Sequence, residues 1–69
     1  MTWEDTVDRA IGDAKFGYPH RIPEQDEFIN TFLNFYDELF AEFQIIEVPD
    51  NHREKAERRA NVAYVDDIP

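Results

Sequence analysis

Sixteen acidic and seven basic side chains in 69 residues leave the chain at −9, a charge that opposes direct binding to nucleic acid or an anionic membrane and favours a basic partner. A chain this short forms one small domain, buries only about 60% of its unfolded surface, and has no room for a deep pocket. With no cysteine and no serine it lacks disulfides, thiolate metal sites and the two commonest hydroxyl or thiol nucleophiles.

The first element is a helix over residues 2–15. Thr2 is placed as its cap, with Asp5 three residues on in a weak variant of the capping box. Trp3, Val7, Ala10, Ile11 and Ala14 keep helical spacing on one face. Asp5 and Arg9 are set for an i, i+4 pair worth about 0.2–0.5 kcal/mol. Gly12 lies on the outer side, at a cost of about 1 kcal/mol against alanine. The stretch MTWEDTVDRA is acidic, unlike a signal peptide, and no apolar run reaches transmembrane length. The start at Met1 fits a complete, small reading frame, and the missing cysteines fit a cytoplasmic location.

Residues 16–23, FGYPHRIP, read as a loop punctuated by Gly17, Pro19 and Pro23. Its apolar residues Phe16, Tyr18 and Ile22 are expected to pack down on the core. His20 lacks the further ligands that a metal site needs and reads as a turn residue.

Residues 24–44 form the central helix, and the rest of the chain is organised around it. At 100° per residue, nine large apolar side chains from Phe28 to Phe43 share an arc of about 160°. A strand register would mix them with the polar residues. Pro23 suits the first turn, and Pro49 enforces the stop near Gln44. Six of the nine are aromatic, which at this spacing means core or interface. Two covering helices rich in alanine and valine leave an apolar surplus, closed either by Trp3, Phe16, Tyr18 and Ile22 or by a second copy of the chain as a homodimer.

Residues 45–50, IIEVPD, read as an extended linker tucked between helices, with no second strand in the chain for it to pair with; the remaining option is an edge for another protein. Asn51 then opens a third helix over 51–64, with Glu54 at the capping-box position. His52, Ala56, Ala60, Ala63 and Tyr64 share its inner face. Lys55, Arg58, Arg59 and Val62 share another side. Glu54 and Arg58 form a favourable i, i+4 pair, and Lys55 and Arg59 a repulsive one. The tail VDDIP has no assigned structure. The predicted fold is all-α, three helices with a long amphipathic central one.

No catalytic, cofactor or metal residues can be assembled from this composition. There is no glycine-rich phosphate loop, and Asp66 and Asp67 lack the spacing of a calcium loop. The chain is expected not to be an enzyme. Charge is its distinctive feature. Residues 1–50 hold twelve acids against three bases, whereas residues 51–60 hold four bases against two acids, a net of +2. Glu27, Glu38 and Glu42 run along one outer side of the central helix, with Asp26 and Asp37 on the adjoining one. Carboxylates one turn apart stand about 6 Å apart along the axis, a spacing suited to a surface that holds phosphates. Asp26, Glu27, Asp37, Glu38 and Glu42 are therefore the candidate partner-binding residues. The expected function is inhibition of a nucleic-acid-handling protein by acidic mimicry. In type the chain resembles small phage-encoded anti-defence proteins, anti-CRISPR proteins and nucleic-acid mimics among them, though no motif ties it to one family. The alternative is a structural or regulatory helical subunit, or an antitoxin, acting through the aromatic stripe.

Overall fold

The computed structural model describes residues 1–67; Ile68 and Pro69, the end of the VDDIP tail, lie outside them. Three helices make up the fold: α1 (Trp3–Phe16), α2 (Gln25–Glu42) and α3 (His52–Asp67). The all-α expectation is met, and each helix stands within a few residues of its predicted span. α1 and α3 both pack along α2 and touch each other least.

The core is the aromatic stripe of α2 met by the small faces of its neighbours. Phe28, Phe32 and Tyr36 are wholly buried, as are Val7, Ala10 and Ala14 of α1 and Ala56 and Ala60 of α3. Alanines on both covering helices let the three backbones close around large rings. Thr6, absent from the predicted inner face of α1, is also buried, because its hydroxyl donates to the Thr2 carbonyl at 2.8 Å and needs nothing from water.

Local chemistry sets the helix ends. The Thr2 hydroxyl accepts from the Asp5 amide at 3.2 Å, as the cap reading requires. Asp5 and Arg9 are not paired; Arg9 lies over the Phe43 ring at 5.7 Å instead. Pro23 falls outside the first turn of α2. Glu24 is the cap, without a side-chain bond, and α2 begins at Gln25. α2 stops at Glu42, two residues short of its predicted end, with Phe43 extended and partly exposed. Asn51 departs from a capping box: it adopts a left-handed φ of 54°, a region that asparagine tolerates, and its carbonyl takes the first bond of α3 from the Lys55 amide. α3 also runs past Tyr64 to Asp67, since no breaker stands between Tyr64 and Pro69.

Two expectations about the connections are corrected. Phe16 is 85% exposed and Ile22 56% exposed, so neither closes the core. The 16–23 loop is anchored by its polar atoms. The Tyr18 hydroxyl bonds Thr31 Oγ1 at 2.7 Å, and the Tyr64 hydroxyl donates to the Pro23 carbonyl at 2.7 Å. The linker after α2 does have a partner within the chain, the N-terminus itself. The Trp3 amide donates to the Ile46 carbonyl and the Ile46 amide to the Met1 carbonyl, both at 2.9 Å, a single parallel bridge between Thr2 and Ile46. Residues 1–3 were too few to read as a strand by alternation.

Candidate functional site

The five candidate carboxylates do not form one free surface. Glu27 receives a two-pronged bond from Arg21, at 2.8 and 2.6 Å. Hydrogen bonding to that guanidinium holds the Glu27 carboxyl below its usual range, and the same bond holds Arg21 above its own. Asp37 is bridged by Arg53 of α3, at 3.3 and 3.1 Å, and this raises Arg53 in turn. The sequence wheel put both acids on the outer side of α2, which is correct. It had no means of showing that one arginine from the loop and one from α3 would reach them.

Asp26, Glu38 and Glu42 remain exposed with no ion pair among the described residues. Asp26 lies in the first turn of α2, where the helix dipole favours an anion. Glu38 and Glu42 lie at the other end. They are like charges at i, i+4, beside the negative end of the dipole, and the last turn of α2 contains no base. Both effects oppose the helix that carries them.

Other arginines are also matched internally. Arg59 reaches Asp8 at 3.5 Å and Glu4 at 3.9 Å, and Arg58 approaches Glu54 at 3.6 Å as the i, i+4 reading expected. These pairs engage Glu4 and Asp8 of α1 and Glu54 of α3, and leave Glu38 and Glu42 as neighbouring exposed carboxylates at the C-terminal end of α2.

A polar chain, buried at Trp3 and Tyr36 and half-buried at His52, joins all three helices. Trp3 Nε1 donates to the Tyr36 hydroxyl at 2.7 Å, and that hydroxyl lies 2.7 Å from His52 Nδ1. Burial pushes the Tyr36 phenol above its usual value. Nothing in the sequence pointed to this chain beyond three polar-tipped rings on inner faces. Its atoms satisfy one another, which makes it part of the core. Among the described residues no group of three or more histidines and carboxylates could hold a metal ion, and no helix is long and apolar enough to cross a membrane.

No protein-family model, no curated protein and no solved structure matches the chain.

Proposed function

We propose that this protein is a non-catalytic inhibitor that binds a nucleic-acid-handling enzyme or complex through the carboxylates of α2, in the manner of phage anti-defence proteins that present acids to a basic groove. The observation that carries this reading is the pair Glu38 and Glu42. They stand one turn apart, exposed and unpaired among the described residues, where both the dipole and their mutual repulsion make them a local cost. Residues that break a local rule without an internal return belong to function more often than to folding. Asp26 extends the surface at the other end of the helix. Glu27 and Asp37, held by Arg21 and Arg53, would contribute only by exchanging those arginines for the partner's. A homodimer or antitoxin that works through the aromatic stripe has less support, because most of that stripe is inside the monomer.

The test is affinity capture from host lysate with the wild-type chain and with the Glu38→Lys/Glu42→Lys variant. The proposal expects nucleic-acid-binding proteins on the wild type, released by added double-stranded DNA and lost from the variant. Capture of the same proteins by both chains, unaffected by DNA, would refute it.

A further inference from the structure

The linker after α2 uses only one side of its backbone. Phe43 is extended, and Ile46 sends both its N–H and its C=O to the N-terminal residues Met1 and Trp3. In an extended run the backbone groups of the preceding residue point the opposite way. Those of Ile45 have no hydrogen-bond partner among the described residues, although Ile45 is half-buried against the core. Open backbone groups beside a core call for a partner, and a neighbouring strand is the partner that fits them. Glu47, at a left-handed φ of 60°, turns the chain off the run, so the open edge is residues 43–46.

The side chains of the same stretch give that edge its character. Phe43, Ile46 and Val48 are 43%, 49% and 38% exposed. Glu42 and Glu47 bracket the edge and Glu38 stands one turn before it, all exposed and without an ion pair among the described residues. Residues 38–51 contain no lysine or arginine. The cations that reach this end are Arg9, over the Phe43 ring, and the Met1 ammonium, on the Gln44 carbonyl; neither pairs with these acids.

We infer that residues 43–46 take up an extended basic segment of a partner protein as an added strand, its backbone bonded to Ile45, its apolar side chains on Phe43 and Ile46, and its lysines or arginines on Glu42 and Glu47. This is strand addition, in which backbone bonds hold the segment and side chains select it. The inference rests on the basic partner proposed above and adds the form in which that partner is held. A docked helix, whose backbone bonds are internal, would leave the Ile45 groups unmet. A second copy of this chain would bring Glu42 and Glu47 against their own equivalents, and like charges across a strand pair are destabilising.

The test selects displayed random peptides of about six residues, a common strand length, on the whole chain. The expected result is enrichment of Lys and Arg alternating with aliphatic residues. A selected peptide is then resynthesised with N-methyl groups on alternate amides, in either of the two phases. Methylation of the edge that faces Ile45 should weaken binding at least about tenfold, and methylation of the other edge should leave it unchanged, because both keep every side chain. Ile46→Ser and Glu42→Gln/Glu47→Gln alter exposed side chains and leave the backbone bonds in place; each should weaken the peptide about threefold or more, with circular dichroism checking the fold. The inference is overturned if no basic peptide is enriched, if both methylated phases bind as well as the parent, or if both folded variants bind as well as wild type. A dimer of the protein alone that Ile46→Ser abolishes would assign the edge to a second copy and overturn it too. Lysate capture separates this inference from the function proposed above. Nucleic-acid-binding proteins lost by Glu38→Lys/Glu42→Lys and fully kept by Ile46→Ser would overturn the added strand and leave that function standing. Peptides bound as expected, with no nucleic-acid-binding protein captured, would support the added strand and overturn that function.

Discussion

The Tyr36 hydroxyl sits 2.7 Å from His52 Nδ1 and takes the Trp3 indole proton at the same distance, so one oxygen ties α1, α2 and α3 together. Trp3 can only donate. The Tyr36 oxygen therefore accepts from the indole, and its hydrogen bond with His52 Nδ1 completes the link to α3. The His52 ring also stacks on Phe40, with centroids 4.9 Å apart.

Removing that oxygen should be costly. Tyr36→Phe leaves the buried Trp3 N–H and the His52 nitrogen without their partner, and the expected loss is about 1–3 kcal/mol. Urea melts of Tyr36→Phe, His52→Phe and the double variant give the coupling. A sum of the single losses equal to the double loss would mean that the two rings act independently.

Alkaline pH should expose the same residue. Burial raises the Tyr36 phenol above its ordinary 10.0. Between the unfolded and folded values the native state binds more protons than the unfolded one. Stability from this group is therefore complete below about pH 10 and is lost as pH rises through the folded value. The wild type should lose more stability than Tyr36→Phe over that range. Parallel curves for the two proteins would contradict this.

Truncations along α2 should grade with burial. Phe32→Ala and Leu39→Ala remove buried side chains, and each is expected to cost about 2–5 kcal/mol. Phe40→Ala, at a half-buried position, should fall at the low end of that range. Circular dichroism melts order the three, and a Phe40→Ala protein less stable than Phe32→Ala would reverse the picture.

The same grading marks what the sequence could and could not reveal. Helical spacing picked out the α2 stripe and the alanine face of α3, because a buried face repeats every 3.6 residues. It failed at Phe16 and Ile22, where hydrophobicity alone suggested packing and the loop is held by Tyr18, Tyr64 and the Pro23 carbonyl instead. It also missed the bridge between Thr2 and Ile46, a contact between segments too short to carry a pattern. The five carboxylates were legible as a face of a helix. Their division into bound and unbound groups was not, since Arg21 and Arg53 arrive from other parts of the chain.

Arg53 offers a test of that division. Its pair with Asp37 is exposed, so Arg53→Ala should change stability by less than about 1 kcal/mol. It also releases a carboxylate on α2. If acidic recognition operates, Arg53→Ala should bind the captured partner more tightly than wild type at low salt, as titration calorimetry would read. Weaker binding would place Arg53 itself in the contact.

The most direct measurement follows stability and binding together in Glu38→Lys/Glu42→Lys. Lysines at the C-terminal end of α2 favour the dipole, an effect of about 0.3–1 kcal/mol, so the variant should melt at or above the wild-type temperature. Its affinity for the basic partner should nevertheless fall, and the steep salt dependence of wild-type binding should flatten. A variant that is equally stable or more so yet loses binding is the predicted result. A folded variant that binds with unchanged affinity and salt dependence would contradict the account.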